Sequence, residues 1–474
     1  MHLIRRLIHR PRPDLTTGPL WRGILAMALP IMGSNILFSL QILVDMFFVG
    51  KLGPGAVASV GMARTVHWVL MTFIVGVQTA TVAMVSRAVG AGNARRASHV
   101  AGQVVVVAVL FGLAVAPLGV IFSEQALRIF GAEAEVVDLA NGYLRIAFGG
   151  IFFLVAMFLV TGIFQGAGDA VTPLLLGIGI TIVNMTLNPI LIFGLLGMPA
   201  LGVRGSALAT VIAQGSMALV ALGLLIRGRS GVKLHLRDLA PRVPTLWRMF
   251  VIGVPGSVNM SLRALLNMVL MAIVTRFGTV VLAAYAVGLQ VRMTGLLPIF
   301  GFAAATSTTV GQNLGARQEH RAVMSGWTGT GMAVALTACV ATALFLFGGP
   351  VTAVFNDAPA VVAAGAHFLR ITALSLAAAP ISIVLSRAMN GAGDTTSPLL
   401  ISLFCLWAVQ VPAAALLSGI EKLWGLAVPF RQALGDALVF DESGVWYAMV
   451  LASVLQAIIS SAWYATGRWK HRQV

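Results

Sequence analysis

The sequence predicts an all-α membrane protein with twelve transmembrane helices in two pseudo-symmetric six-helix bundles. Three observations lead to this prediction: an apolar composition, a set of long apolar runs and an internal repeat. Hydrophobic residues make up 58% of the 474 positions, and charged residues only 10%. Because the surface of a water-soluble domain needs much more charge than this, the composition excludes such a domain.

The apolar residues fall into twelve runs that are each long enough to cross a bilayer. A helix needs about 20 mainly apolar residues to span the hydrocarbon core. The runs are too long for strands, and the hydrocarbon interior admits only helices or closed barrels. We therefore predict transmembrane helices over residues 24–50, 57–86, 98–122, 136–163, 171–196, 203–226, 248–275, 281–311, 322–348, 361–388, 396–418 and 444–466.

The second half of the chain repeats the first at a constant offset of 225 residues, for example from Pro30 to Pro255. The same offset relates the Gly-Ala-Gly-Asp segments at 166–169 and 391–394. Each copy contains six predicted helices, so the two halves share one topology. We expect an axis along the membrane normal to relate them.

The repeat and the charged segments together predict the domain organisation. The register of the repeat breaks before residue 444, so the loop at 418–443 carries an insertion, in which we expect a short interfacial helix. The predicted domains are a basic cytoplasmic N-terminus at 1–23, an N-lobe at 24–226, a basic cytoplasmic linker at 227–247, a C-lobe at 248–466 and a basic cytoplasmic tail at 467–474.

Positive charge is concentrated on one predicted side of the membrane, and the formal net charge is +16. Cytoplasmic loops of membrane proteins carry an excess of Lys and Arg. Both termini are therefore predicted to be cytoplasmic, with the protein in the inner (plasma) membrane, and nucleic acid is not expected as a partner. The basic positions on this side are Arg5, Arg6, Arg10, Arg12, Arg22, the segments 87–96 and 227–248, Arg317, Arg321, Arg387, Arg468, Lys470 and Arg472.

The two Gly-Ala-Gly-Asp segments are predicted to form tight turns between helices. Glycine permits the left-handed conformation that ends a helix, and Asp169 or Asp394 can cap the helix that follows. No predicted strand precedes these turns and no Lys-Ser or Lys-Thr follows them, so they do not indicate an ATP site. The two cysteines, Cys339 and Cys405, lie in apolar runs and predict neither a disulfide framework nor a metal site.

Asp45 is the one acidic residue that falls well inside a predicted transmembrane helix. An ionisable group there costs on the order of 3 kcal/mol on insertion scales, so it is expected to face the protein interior and to be functional. A carboxyl group shielded from water is more easily protonated. Asp45 is thus a candidate site for a coupling proton or Na⁺, and the alternative is a static ion pair with an arginine.

Three arginines, Arg64, Arg263 and Arg292, also fall inside predicted helices. They could pair with Asp45, bind an anionic group of a substrate or extend to a membrane interface. Arg263 is the deepest, and we expect it to line a C-lobe cavity together with Asn259. His67, which the repeat places opposite Arg292, could relay protons or simply line the cavity.

Two prolines and several polar residues are candidates for the N-lobe cavity. Pro30 and Pro189 are predicted to interrupt helices one and five, either as a functional bend near Asp45 or as a static kink. The polar candidates could line the cavity or form hydrogen bonds between helices. These polar candidates are Thr161, Asn184, Asn188 and Ser206.

Three motifs together resemble the MATE family (multidrug and toxic compound extrusion). The first combines Ala-Leu-Pro at 28–30 with Leu-Val-Asp-Met-Phe-Phe-Val-Gly at 43–50. The second is the pair of Gly-Ala-Gly-Asp segments, and the third is Val-Gly-Gln-Asn-Leu-Gly-Ala at 310–316. The resemblance covers residues 24–466.

This resemblance implies two six-helix bundles around a central cavity and ion-driven alternating access. In the DinF-like branch an Asp of the first helix takes the coupling proton and an upstream proline bends that helix. Asp45 and Pro30 match both features, and Asn184 matches the N-lobe asparagine of that branch. Asn188 departs from the pattern, because an Asp is usual before the proline of helix five.

The C-lobe departs from the NorM-like branch of the family. In that branch an acidic residue lies on helix seven, where this sequence has Arg263. The helix-ten Asp of the same branch aligns with Ala379. The C-lobe cation site is therefore missing, which favours protons over Na⁺ as the coupling ion.

The predicted function is secondary-active efflux in which amphipathic organic cations or drugs are exchanged for protons by alternating access. The H⁺ gradient, or alternatively a Na⁺ gradient, would supply the energy without a cofactor or ATP. Arg263 would suit a different substrate, so an exporter or flippase of an anionic or lipid-linked metabolite is the alternative. A membrane-embedded enzyme and a passive channel fit less well. We expect a monomer in the lipid bilayer that acts on small molecules.

Overall fold

The computed structural model describes residues 14–129, 133–420, 422–423, 426–427 and 439–472. Within these residues, eleven helical segments are long and apolar enough to cross a membrane, and one bent helix pair supplies a twelfth. The predicted all-α fold with twelve membrane spans is thus confirmed. The start of the basic N-terminus, most of the predicted loop helix and the last two residues lie outside the described residues.

The described residues of the first half of the chain form seven helices that make up six spans. Short 3₁₀ turns follow α6 and α7. The helices are α1 (Leu20–Gly50), α2 (Pro54–Gly90), α3 (Ala94–Arg128), α4 (Ala134–Gly149), α5 (Ile151–Gly166), α6 (Val171–Phe193) and α7 (Val203–Ile226).

The second half repeats this arrangement with local differences. Its helices are α8 (Val243–Val274), α9 (Thr279–Gly315), α10 (Glu319–Ala353), α11 (Pro359–Gly391), α12 (Thr396–Ser402), α13 (Val411–Leu417) and α14 (Asp441–Ala465). The described part of the loop before α14 contains two short antiparallel strands, β1 (Lys422–Leu423) and β2 (Leu426–Ala427).

The fourth span is broken, although the sequence predicted one continuous helix over 136–163. Helix α4 ends at Gly149, α5 begins at Ile151, and the two axes differ by 54°. Adjacent glycines are a common cause of such bends, because they add conformational freedom and no side-chain packing.

The eleventh span contains a π-helical segment, Leu403–Gln410, between α12 and α13. Pro412 follows this segment within the first turn of α13. Since proline has no N–H, the carbonyl groups one turn earlier lose a regular partner and the helix adjusts locally.

The prolines of helices one and five do not interrupt them, which corrects the prediction. Helix α1 continues through Pro30, and α6 continues through Pro189. The hydroxyl of Ser34 donates to the carbonyl of Pro30 at 3.1 Å. The carbonyl that loses its N–H partner at Pro30 is that of Ala26, and packing against neighbouring helices can compensate for such a loss in a transmembrane helix.

Both Gly-Ala-Gly-Asp segments form the predicted turns. Gly168 and Gly393 adopt left-handed φ angles of 84° and 91°. Asp169 Oδ1 accepts a hydrogen bond from the Thr172 amide at 2.9 Å. Asp394 Oδ1 likewise accepts one from the amide of Ser397 at 3.2 Å. Each aspartate thereby caps the helix that follows it.

The chain divides into two compact units. The first unit comprises the described parts of 1–257 together with Gly311–Glu319, which contains the C-terminal end of α9. The second unit comprises Val258–Val310 and the described part of 320–473. The lobe boundaries predicted from the sequence remain predictions.

Small residues line the helix contacts of the first unit. Helix α1 packs against α6, and α2 packs against α3, α4 and α5. The buried core includes many alanines, such as Ala80, Ala83, Ala97 and Ala101. Small side chains let transmembrane helices approach closely, which supplies the van der Waals contact that holds them in lipid.

Aromatic residues form a buried cluster in the second unit, where α11 packs against α14. The ring of Tyr285 stacks on that of Trp446 with centroids 5.3 Å apart. Phe368 meets the Trp446 ring edge-on at 4.7 Å. Such aromatic pairs contribute about 0.5–1.5 kcal/mol beyond the area that they bury.

Two buried side chains of α3 hold the basic linker: Ser98 Oγ accepts from the amide of Lys233 at 3.2 Å, and Gln103 makes three further hydrogen bonds. Its Nε2 atom donates to the carbonyls of Asp238 and Ala240, both at 2.8 Å. Its Oε1 atom accepts from the amide of Arg242 at 2.8 Å. One amide group therefore satisfies three backbone groups of the linker.

We expect Gln103→Leu to loosen the linker from α3. Three backbone groups would lose their partner, and each of them that stays buried costs about 1–3 kcal/mol. Limited trypsin digestion of the purified protein should then cleave the linker, which contains Arg229, Lys233 and Arg237, at least tenfold faster. Gln214→Leu in α7 is the control and should leave the rate unchanged. Equal rates for the two variants would contradict this role of Gln103.

Candidate functional site

Asp45 lies near the C-terminal end of α1 and is only 2% exposed. Its carboxylate is held by residues of two other helices. Arg64 Nη2, on α2, donates to Oδ2 at 3.1 Å, and Asn188 Nδ2, on α6, donates to Oδ1 at 2.8 Å. The charge of Asp45 is therefore compensated by an arginine in this conformation.

A chain of side-chain hydrogen bonds continues from Asp45 into α7. Asn188 Nδ2 also donates to Asn184 Oδ1 at 3.0 Å, and Asn184 Nδ2 donates to Thr210 Oγ1 at 3.2 Å. Asn184 and Asn188 are one turn apart on α6, so their side chains lie on the same helix face. Because α6 packs against both α1 and α7, that face links the two helices.

One acceptor in this network lacks a partner. Asn188 Oδ1 is buried and has no hydrogen bond among the residues that the structure describes. An unsatisfied buried acceptor costs about 1–3 kcal/mol. In this conformation the Asn188 amide nitrogen faces the Asp45 carboxylate, so a protonated carboxyl group at Asp45 could donate to this oxygen once the amide rotates.

Two groups beside this network were not identified from the sequence. Thr210 lies one turn after the predicted Ser206 on α7, so helical spacing could have indicated it. Tyr143 of α4 is 7% exposed and lies beside Arg64. The sequence offered no signal for Tyr143, because its approach to Arg64 depends on how α4 packs against α2.

The other predicted N-lobe residues lie apart from Asp45 or serve their own helices. Pro30 is fifteen residues before Asp45 on α1, about 22 Å along a helix, so it does not lie beside Asp45, and its role as a functional bend stays a prediction. The Thr161 hydroxyl donates to the carbonyl of Met157 in the preceding turn at 2.9 Å. Ser206 is buried, and its hydroxyl has no partner among the described residues.

His67 lies one turn after Arg64 on α2. Its ring stacks on Phe148 with centroids 6.3 Å apart and an interplanar angle of 28°. This contact places the imidazole in an aromatic environment next to the Asp45 network. The role of His67 as a proton relay stays a prediction.

The predicted C-lobe residues, Arg263 and Asn259, are in direct contact. Arg263 Nε donates to Asn259 Oδ1 at 3.0 Å, and Asn259 Nδ2 donates to the carbonyl of Pro398 at 3.3 Å. The Arg263 guanidinium is also close enough to Arg387 and Arg292 to feel their positive charge. Arg387 lies near the C-terminal end of α11, and its assignment to the cytoplasmic side stays a prediction.

The described residues contain no group of three or more His, Cys, Asp or Glu side chains that could hold a metal ion. Among the described residues, the polar groups of the spans include amides, hydroxyls, guanidinium groups, the imidazole of His67 and the carboxylate of Asp45. They can bind, orient or exchange a proton with a small molecule.

Comparisons with known proteins agree with this architecture. A family model described as MatE matches residues 30–190 and 255–416. The "Probable multidrug resistance protein YoeA" of Bacillus subtilis is 28% identical over 458 residues, which cover 96% of this chain and 95% of that protein. The "FAD transporter" of Shewanella oneidensis is 25% identical over 433 residues, which cover 90% of this chain and 94% of that protein.

A solved structure shows the same fold. It is described as the outward-facing conformation of a multidrug resistance MATE family transporter of the MOP superfamily. The TM-score is 0.84 at 23% identity, and the match covers 96% of this chain and 98% of the other.

Proposed function

The chain belongs to the MatE family of membrane transporters, and on that premise we propose that it exports amphipathic organic compounds in exchange for protons. One observation carries the proposal: the buried carboxylate of Asp45 is shared between Arg64 and Asn188. A proton and the Arg64 guanidinium compete for the same carboxylate. Proton binding can therefore change a contact between two helices.

The competition suggests how proton binding drives a conformational change. When Asp45 is charged, its ion pair with Arg64 ties α1 to α2. When Asp45 takes a proton, the attraction is lost and the new O–H can use the unpaired oxygen of Asn188 once that amide rotates. The Arg64 side chain is 21% exposed, so it can turn toward water without becoming a buried, unpaired charge.

The same geometry favours protons over Na⁺. A sodium ion at Asp45 would need several oxygen ligands, and it would lie next to the positive charge of Arg64. A proton needs one carboxylate oxygen and one acceptor, and the network offers both. Coupling to an H⁺ gradient also needs neither ATP nor a bound cofactor.

The charge of the transported substrate distinguishes two candidates. The sequence favours organic cations or drugs, and the multidrug resistance proteins among the relatives support export of amphipathic drugs. A specific observation favours a second candidate, an anionic substrate, because three arginines meet inside the second unit. A relative described as an FAD transporter supports this candidate, because FAD carries negatively charged phosphate groups.

The positions of the basic residues bear on how the protein lies in the membrane. We propose that the protein works as a monomer in the inner (plasma) membrane with both termini in the cytoplasm. The basic linker docked on α3, together with the basic residues of the C-terminal tail, supports this orientation under the positive-inside rule.

The test measures protons released when a substrate binds to the purified protein in weakly buffered solution. We expect cationic or anionic drugs that are substrates to release protons, because substrate binding and protonation of Asp45 exclude each other. Asp138→Asn, which removes an exposed carboxylate of α4, is the matched control and should release as many protons as the parent. Binding without proton release at any pH from 5 to 8 would refute proton exchange.

A further inference from the structure

We propose that Arg263 and Arg292 form an anion-binding site within the second unit, and that it takes a carboxylate or phosphate group of the transported substrate. The inference rests on the proposed transport function and defines the chemistry of its substrate. Three independent features of the second unit support it: an excess of hydrogen-bond donors, two buried polar groups without partners and the placement of the carboxylates.

The first feature is an excess of donors around Ser402, at the end of α12. Its hydroxyl oxygen accepts hydrogen bonds from three donors: Asn259 Nδ2 at 3.0 Å, Arg263 Nη2 at 3.2 Å and Gln456 Nε2 at 3.0 Å. A hydroxyl oxygen has two lone pairs, so three donors exceed its capacity. An anionic oxygen placed here would satisfy the surplus donor.

The Arg263 guanidinium has further capacity of its own. Its two hydrogen bonds, to Asn259 and Ser402, use two of the five N–H groups that a guanidinium carries. The planar fork of these groups matches the geometry of a carboxylate or phosphate. Arg263 is thus oriented by neutral partners while its charge is left for a ligand.

The second feature is a pair of buried polar groups on α9. Tyr285 is 2% exposed, and its hydroxyl has no hydrogen-bond partner among the described residues. The same holds for Arg292 Nε. The two residues are seven positions apart, so they share a helix face, and they lie close enough to interact electrostatically. In native proteins such buried groups are paired with protein, ordered water or a bound ion, and a ligand anion could supply the partner here.

The third feature is where the carboxylates of the second unit lie. In its described residues they are found only at helix ends and turns, at Asp357, Asp394, Asp441 and Glu442. Asp394 is already engaged by Ser397 and lies 3.7 Å from Arg472. The described carboxylates therefore do not neutralise Arg263 or Arg292 from within the spans.

The internal repeat shows that this charge is specific to the second unit. The positions equivalent to Arg263 and Arg292 in the first half are Phe38 and His67. Conversely, the position equivalent to Asp45 in the second half is Leu270. The duplicated scaffold thus holds a proton-binding acid in one unit and uncompensated cations in the other. A substrate anion bound to the second unit would supply the missing charge.

The test compares binding of an anionic and a cationic fluorescent dye to the purified full-length protein. Carboxyfluorescein is the anionic probe and rhodamine 6G is the cationic probe, with fluorescence polarisation as the readout. A hydrogen bond to a charged group contributes about 1.5–3 kcal/mol. We therefore expect Arg263→Gln and Arg292→Gln each to weaken carboxyfluorescein binding at least tenfold. Arg370→Gln, an exposed arginine of α11, is the control and should bind the dye like the parent.

Tyr285→Phe separates ligand binding from a structural role. It removes a buried hydroxyl without a partner and keeps the aromatic stack, so the unfolding temperature should stay the same or rise. Carboxyfluorescein binding should nevertheless weaken. The proposal is wrong if the three variants bind carboxyfluorescein like the parent, or if they lose rhodamine 6G binding to the same extent.

A lipid headgroup is the other possible source of the anion. Phosphatidylglycerol in mixed micelles should compete with carboxyfluorescein no better than phosphatidylcholine does. Complete displacement by phosphatidylglycerol would assign the site to lipid and overturn the substrate assignment. Failure of proton coupling would look different, because Asp45→Asn would then transport normally while the arginine variants still lost carboxyfluorescein binding.

Discussion

We expect Asp45→Asn to abolish proton-driven transport while the protein remains folded and inserted. Asparagine has almost the same shape as aspartate and can keep the hydrogen bond from Asn188, but it cannot take up or release a proton. Substrate uptake into inside-out vesicles with an imposed pH gradient is the measurement. We expect the initial rate to fall to that of empty vesicles, at least a hundredfold below the parent.

Asp45→Asn also leaves Arg64 without its carboxylate. Breaking a buried pair by removing one partner costs several kcal/mol, but the Arg64 side chain is 21% exposed, so the loss of stability should be only about 1–3 kcal/mol. The double variant Asp45→Asn, Arg64→Gln removes both charges and should recover most of this loss. The unfolding temperature in detergent measures it.

The double variant also separates two roles of Asp45. If Asp45 served only as the static partner of Arg64, removing both charges would restore transport together with stability. If it carries the proton, the double variant should be stable and inactive. Transport by the double variant at half the parental rate or more would therefore rule out proton coupling through Asp45.

The sequence was sufficient to identify the coupling candidate but not its partner. Asp45 stands out because a carboxylate inside a transmembrane helix is costly and is therefore expected to have a function. Arg64, Arg263 and Arg292 were equivalent candidates for the ion pair, since each lies inside a predicted span. The choice of Arg64 follows from the packing of α2 beside α1, and a long-range contact of this kind is not encoded in helical periodicity.

Local breaks in the helices show a similar limit. The glycine pair at Gly149 and Gly150 separates α4 from α5 with a bend of 54°. The glycine pair at Gly348 and Gly349 likewise adjoins a kink in α10, at Phe347, whose φ of −111° and ψ of 20° are not helical. Both glycine pairs therefore mark irregular places in a span, but the dipeptide alone does not determine how far each helix bends.

The donor-rich cluster of the second unit was only partly predictable. Arg263 and Asn259 were recognised because they are polar residues one turn apart on an apolar helix. Ser402 and Gln456 are single polar residues on two other helices, and their convergence depends on α12 and α14 meeting α8. Polar residues of this kind most often form hydrogen bonds between helices, so the excess of donors over acceptors becomes visible only in three dimensions.

We expect Gly90→Ala to reduce transport at least tenfold, although it adds only one methyl group. Within the first unit, the C-terminal end of α2 crosses the C-terminal end of α9 without space for a side chain. A Cβ atom at Gly90 would overlap the backbone carbonyl of Gln312, and one at Gly315 would overlap that of Arg87. The repeat relates Gly90 to Gly315 and Arg87 to Gln312, so the crossing is itself symmetric.

The end of α9 cannot easily move to relieve this overlap, because Gln312 Nε2 donates to the carbonyl of Gly166 at 3.0 Å. Overpacking of this kind typically costs about 1–3 kcal/mol. A transporter that alternates between conformations would respond by depopulating the one described here, since about 1.4 kcal/mol changes a population ratio tenfold. Substrate binding should persist while turnover falls.

Gly61→Ala on the same helix is the matched control, because a Cβ atom there meets no other atom within 4 Å. Its transport should stay within twofold of the parent. Gel filtration of both variants tests folding, and transport in proteoliposomes tests turnover. If Gly90→Ala turns over as fast as Gly61→Ala, the α2–α9 crossing opens without resistance during the cycle and the glycine pair does not constrain it.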